Sequence, residues 1–112
     1  MITTKQQLAA HDGTVAEIEG VYTISNLGRY KLAFERPDGT FGTTNLMACI
    51  RLADGSTVRL GARSATEHAL AGQRVRVTGR IEMAWPPRQP PHVAQPDPSP
   101  WLLQIAKLDP IS

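Results

Sequence analysis

The sequence is poor in the residue types on which most small-protein chemistry depends. Among its 112 residues there is one cysteine, Cys49, with three histidines and two each of Trp, Tyr and Phe. A single cysteine excludes an internal disulfide and any cysteine-rich zinc site. Its apolar neighbours Met47, Ala48, Ile50 and Leu52 predict a buried strand, where a lone thiol behaves as a small hydrophobe. His11, His68 and His92 lack neighbours at metal-ligand spacing, and no nucleophile elbow, phosphate-cradling glycine loop or paired-carboxylate motif is present. No catalytic, metal-binding or cofactor-binding residue is therefore expected, and the chain reads as a non-enzyme. No apolar run approaches the ~20 residues of a membrane helix. Met1–Gln7 has no apolar core of the kind a signal peptide carries. The expected setting is cytoplasmic, away from membranes.

What the sequence does have is proline in one place and charge in near balance. Seven of the nine prolines fall between Ala84 and Pro100, where missing backbone donors and a fixed φ disfavour helix and central strand. The expected organisation is one domain over 1–112 with a proline-rich loop at 84–100. The formal net charge is only +2, although the pI is near 9.0. The placement of charge therefore matters more than its sum.

Two copies of one helix-to-strand pattern organise the rest. Leu8–Gly13 leads into Val15, Ile18 and Gly20, and Leu70-Ala71-Gly72 leads into Val75, Val77 and Gly79. In each, a glycine ends a short helical run and a second glycine follows seven residues later inside an alternating stretch. The first suits a left-handed helix stop, and the second marks a bend or bulge. Capping-box spacing at Thr4/Gln7 and Ser64/Glu67 predicts short helices over Lys5–His11 and Ala65–Leu70.

Period-two alternation predicts strands from Val15, over Arg29–Glu35, through the nearly continuous apolar Leu46–Leu52, after the Asp54-Gly55 turn, over Gln73–Met83 and over Trp101–Leu108. Thr40–Asn45 reads as looser chain. The parity of Tyr22, Tyr30 and Phe34 assigns them to the core.

This order, the first strand bent at Gly20, and Leu52-Ala53-Asp54-Gly55-Ser56 followed by Val75-Arg76-Val77-Thr78-Gly79-Arg80-Ile81 resemble small bacterial OB-fold proteins. The resemblance covers nearly the whole chain at the level of fold. It implies an all-β, OB-fold-like Greek-key barrel of five or six strands with one or two short helices.

Two groups of residues stand out as candidate sites. Trp85 and Trp101 bracket the proline segment, which contains Arg88 and favours polyproline II. Tryptophan and arginine are enriched among interface hot spots. This group points to a protein partner, with the chain acting as an assembly subunit, an adaptor or an immunity-type inhibitor. Arg74, Arg76 and Arg80 share one face of one strand at about 6–7 Å spacing, with Arg29 and Lys31 on the matching parity of another. The alternative function is thus single-stranded nucleic-acid binding along a basic face. Pairing of the same arginines with Glu17, Glu19 and Glu82 would instead leave a neutral solvated face.

Overall fold

The computed structural model describes residues 1–29, 31–36, 38–64, 66–85 and 99–111, with backbone alone for 32, 34, 35, 84, 85 and 99. A short helix, α1 (Lys5–Ala9), precedes seven strands: β1 (Val15–Asn26), β2 (Leu32–Glu35), β3 (Phe41–Thr44), β4 (Leu46–Arg51), β5 (Thr57–Gly61), β6 (Arg74–Trp85) and β7 (Ser99–Pro110). One 3₁₀ turn, Glu67–Leu70, separates β5 from β6. Five strands close a barrel in the order β1-β4-β5-β7-β6, and β2 with β3 forms a separate two-stranded sheet. Within the barrel every pairing is antiparallel except β5 with β7. The fold is β-rich, as the alternating sequence predicts. No helix among the described residues is long and apolar enough to cross a membrane.

Closure depends on β1 serving two neighbours. Its first half pairs with β6, from Val15↔Arg80 to Val21↔Arg74, and its second half with β4, from Val21↔Arg51 to Asn26↔Leu46. The changeover sits beside Gly20, where a Cβ would lie 2.6 Å from Ile50 Cγ2 and also collide with the Arg51 carbonyl. Gly79 is the matching close approach on β6: a Cβ there would meet Leu102 Cγ and the Leu103 carbonyl, both at 2.8 Å. Opposite Gly79, β7 carries extra residues, since Thr78 pairs with Lys107 and Arg80 with Leu103. Gln104 takes φ +51° in that bulge, the one non-glycine residue with positive φ among those described. Bulges of this kind increase local twist and help a small barrel turn its corners.

The inward parity fills the barrel with Ile18, Tyr22, Ile50, Val58, Val75, Val77, Ile81 and Leu102, all essentially inaccessible, and Leu8 of α1 plugs one end. The first capping box forms: Gln7 N–H donates to Thr4 Oγ1 (3.3 Å), and Thr3 N–H donates to Gln7 Oε1 (2.9 Å). Its helix is shorter than Lys5–His11. Turns after Ala9 lead to Gly13, which has φ +79° and donates its N–H to Ile81 O.

Four expectations are corrected. The strand expected over Arg29–Glu35 is only Leu32–Glu35 and lies outside the barrel. Its partner is Phe41–Thr44, part of the chain expected to be loose. Four-residue alternations fit a side hairpin as well as a barrel strand, and the turn at Asp38-Gly39, with Arg36 N–H donating to Thr40 O, closes the hairpin locally. Tyr22 is core as expected, whereas Tyr30 and the Phe34 side chain lie outside the described residues. The helix expected over Ala65–Leu70 is one 3₁₀ turn, ended by Ala71 in an extended conformation and Gly72 at φ +87°. Finally, Ala84, Trp85, Ser99 and Pro100 belong to strands, with Trp85 paired to Ser99. Proline is compatible with the opening residues of a strand. The rest of the expected loop, 86–98, lies outside the described residues.

Candidate binding surfaces

The arginine stripe of β6 projects outward, and each of its members meets a carboxylate. Arg74 Nη2 pairs with Glu19 Oε1. Arg76 reaches Glu17 Oε1 at 3.6 Å and Glu19 Oε2 at 3.8 Å. Arg80 Nε lies 3.1 Å from Glu82 Oε1, an ion pair whose geometry falls short of an aligned hydrogen bond. Register explains the first two sets: Glu19 is directly opposite Arg76, and its β1 neighbours Glu17 and Val21 face Thr78 and Arg74. Cross-strand pairs of this exposed kind each contribute a few tenths to ~1 kcal/mol. They also cancel the positive field that a phosphate-tracking face requires.

The opposite holds on β4 and β5. Neither strand contains an Asp or Glu, yet Arg51 and Arg59 stand on their outer faces. No carboxylate among the described residues lies within ion-pair distance of Arg51, Arg59, Arg29 or Lys31. Register puts Thr23, Cys49, Arg59 and Trp101 in one row across the outside of β1, β4, β5 and β7.

Trp101 is half-buried in that row, with its ring against Gly61, where a Cβ would come to 3.4 Å of Cζ3. Its indole N–H is buried and has no acceptor among the described residues. Cys49 is buried as expected, and burial pushes its thiol pKa up, opposed by a hydrogen bond with Ser25 and the charge of Arg59.

Arg29 and Lys31 are exposed between β1 and β2, beyond the Asn26 end of β1 and away from the β6 stripe. The β2–β3 hairpin that follows carries Phe41, 71% exposed. Of the three residues expected to form a protein-binding group, Trp101 is on the β7 row, the Trp85 backbone pairs with Ser99 across β6 and β7, and Arg88 lies outside the described residues.

Sequence reasoning missed one polar network. The hydroxyl of Tyr22, whose ring is wholly buried, donates to Glu67 Oε1 at 2.9 Å. Arg63 grips the same carboxylate with two hydrogen bonds of 2.8 Å. The network ties the 3₁₀ turn to the barrel end. Burial, then the hydrogen bond to the Glu67 carboxylate, pushes the Tyr22 phenol far above its ordinary value. The bond to Glu67 raises Arg63 further, against desolvation. Its readable signal is the i, i+4 spacing of Arg63 and Glu67, together with the need of any buried tyrosine hydroxyl for a partner.

Among the described residues no three His, Cys, Asp or Glu side chains converge as metal ligands would. Two open clefts lie among the described residues. One, of about 260 Å³, lies between Glu17, Arg76, Lys107 and Asp109. The other, of about 330 Å³, lies at the β1 bend beside Arg51 and Arg74. Neither a protein-family model nor a curated protein nor a solved structure matches this chain.

Proposed function

We propose that this chain is a non-catalytic binding module built on an OB-type barrel, and that it binds single-stranded nucleic acid on the outer face of β1, β4 and β5. Three features support the OB reading. The first three barrel strands pair in sequence, the last lies between the third and fourth, and a helical turn precedes the fourth. In such barrels the second and third strands, with the loops flanking them, form the surface that takes oligonucleotides. Those strands correspond here to β4 and β5. The β2–β3 hairpin occupies the connection at one end, and segment 86–98 the connection between the last two strands.

The observation that carries the ligand class is the segregation of charge. Carboxylates occupy the arginines of β6, whereas Arg59, Arg29 and Lys31 meet no carboxylate among the described residues, and neither β4 nor β5 contains an acid. Trp101, in the same row as Arg59, supplies a ring for stacking, a contribution of ~1–3 kcal/mol per base. A protein partner is the second reading. It is favoured by the exposed Phe41 on the hairpin and by the indole N–H of Trp101, which has no acceptor among the described residues, and would make the chain a subunit, adaptor or inhibitor. A cytoplasmic, bacterial setting belongs to either reading.

Fluorescence anisotropy with a labelled oligonucleotide at several salt concentrations tests the choice. With three or four phosphate contacts, log affinity should fall against log salt with a slope of about −2 to −3. Arg59→Glu should weaken binding strongly and make its salt dependence shallower, while Arg76→Glu, which alters a residue already engaged by carboxylates, should weaken it little. Absence of binding at low salt would transfer the proposal to the protein partner. Equal sensitivity of the two variants would remove the charge-segregation argument.

A further inference from the structure

The cleft at the β1 bend is where the two charge regimes of the barrel meet. Val21 is the one residue of β1 paired on both sides with barrel strands, to Arg51 of β4 and to Arg74 of β6. Strands are spaced about 4.8 Å apart, so the two arginine stems rise roughly 10 Å from one another on either side of Val21. Between them lies the open cleft of about 330 Å³, which Glu19 and Leu52 also line. That volume is at the small end of the range for ligand sites and ample for a phosphate with part of its attached sugar.

The electrostatics of the cleft are asymmetric. Arg51 has no carboxylate among the described residues, and Arg74 has only Glu19. Glu19 does not belong to Arg74 alone, because its second oxygen also faces Arg76 at 3.8 Å. Arg74 is 66% exposed in spite of its pair, so its guanidinium retains donors toward the cleft. Two guanidiniums approaching from opposite sides are suited to an anion with several oxygens, since each presents a planar fork of donors. A phosphate monoester carries about −1.5 to −2 at neutral pH, against −1 for the diester links inside a chain. The lining carries two cations against the one carboxylate of Glu19, and this net positive charge attracts a terminal monoester more strongly than an internal diester.

We infer that this cleft is an anchoring site for the terminal phosphate monoester of the bound strand, held by Arg51 and Arg74. The inference rests on the nucleic-acid reading for the identity of the strand, while the chemistry of the cleft stands apart from it. The cleft opens at the Arg51 end of β4 and the mid-strand bend of β1, so a strand lying across Arg59 and Trp101 would place its end there. Glu19 stays on Arg74 and Arg76 and excludes a second anion from the β6 side.

Two measurements on the full chain test the proposal. In the first, inorganic phosphate is titrated while the arginine side-chain N–H resonances are followed by NMR, with sodium chloride at equal ionic strength as the control. Arg51 and Arg74 should shift with phosphate and not with chloride, and Arg63 should stay still. In the second, anisotropy compares one oligonucleotide with and without its terminal phosphate, on the native chain and on Arg51→Gln. The terminal phosphate should strengthen binding to the native chain about five- to tenfold, the scale of one charge-assisted contact. That gain should vanish in Arg51→Gln, with its fold checked by circular dichroism. If both oligonucleotides bind the native chain equally, the anchoring role is overturned while the nucleic-acid reading survives. If neither binds but phosphate shifts Arg51 and Arg74, the cleft is an anion site and the nucleic-acid reading falls. Phosphate that moves neither resonance removes the site altogether.

Discussion

Replacing Tyr22 with Phe isolates the one polar contact made by the barrel's largest buried side chain. The ring fills the same space, so packing is retained and only the hydroxyl is lost. That hydroxyl donates to Glu67 Oε1 at 2.9 Å, and Arg63 continues to hold both carboxylate oxygens at 2.8 Å. A hydrogen bond to a charged acceptor contributes ~1.5–3 kcal/mol. The Glu67 side chain is 15% exposed, enough for water to replace part of what the phenol supplied, so the lower end applies, about 1–2 kcal/mol. At ~4–8 °C per kcal/mol for a domain near this size, the midpoint of thermal unfolding should fall by roughly 4–16 °C. Calorimetry gives the shift, and urea unfolding with an unchanged m-value confirms that the denatured state is not its source.

The same variant should change the alkaline limb. The folded phenol ionises above its ordinary value of 10.0, so its stabilisation is complete below pH 10 and is lost as pH rises toward the folded value. The native chain should therefore lose stability above pH 10 more steeply than Tyr22→Phe. A midpoint for the variant within 2 °C of the native chain at neutral pH would show that the network does not hold the 3₁₀ turn to the barrel, and the reasoning would fail.

Three further outcomes follow from the same geometry. Gly79→Ala places a methyl 2.8 Å from both Leu102 Cγ and the Leu103 carbonyl; the side chain can give but the ladder cannot, so chemical denaturation should show a loss of about 1–3 kcal/mol. Gln104→Gly relieves a left-handed backbone (φ +51°) that costs an ordinary residue ~1–2 kcal/mol, and part of that should appear as a higher melting temperature. Asp54 accepts from Lys5 N–H and from the N–H and hydroxyl of Ser56, and these bonds, the Ser56 hydroxyl first, lower its pKa from 3.8 to about 2. Its contribution is present above pH 4 and disappears as pH falls through about 2, so thermal scans of the native chain and Asp54→Asn should converge between pH 4 and pH 2.

Much of the fold was legible because it is written in period-two alternation and glycine. β6 follows from Val75, Val77, Gly79 and Ile81; the β4–β5 hairpin follows from the apolar run to Leu52 and the Asp54-Gly55 turn; the bend of β1 follows from Gly20. Long-range pairing was harder to see. Leu32–Glu35 and Phe41–Thr44 alternate too briefly to show whether they join the barrel or each other. Closure between β5 and β7 rests on the single parallel register Arg59↔Trp101, for which local sequence has no signal.

The candidate site divides in the same way. That Arg74, Arg76 and Arg80 share a face was readable, and so was the supply of Glu17, Glu19 and Glu82. Which glutamate meets which arginine depends on a register set elsewhere, by close approaches at Gly20 and Gly79. The lack of acids on β4 and β5 was readable as well, but it acquires meaning only when Arg59 and Trp101 are found in one row.

A net charge of +2 on 112 residues would ordinarily say little about partners, and its placement here follows from what the acids do. Five of the ten, Glu17, Glu19, Glu67, Glu82 and Asp109, stand in ion pairs with Arg76, Arg74, Arg63, Arg80 and Lys107. Three more take backbone N–H groups: Asp12 from Met83, Asp38 from Thr40 and Asp54 from Lys5 and Ser56. These eight are committed to joining β1 to β6, to the 3₁₀ turn, to β7 and to the turns, so none of the eight is left to neutralise Arg51 or Arg59; the Glu35 side chain and Asp97 lie outside the described residues. Closing the barrel also removes the free strand edges through which a flat sheet would recruit a partner by backbone pairing. Under the nucleic-acid proposal recognition would then use side chains on an outer face, and Arg51 and Arg59 of β4 and β5 are the strand cations that no carboxylate among the described residues engages. Reversing a charge in the β1–β6 ladder should therefore register first as lost stability, and reversing Arg59 as lost affinity and a shallower salt dependence at nearly unchanged stability. Measuring melting temperature and salt slope on the same two variants separates these effects, and a loss of stability in Arg59→Glu equal to that in Arg76→Glu would contradict the division of labour.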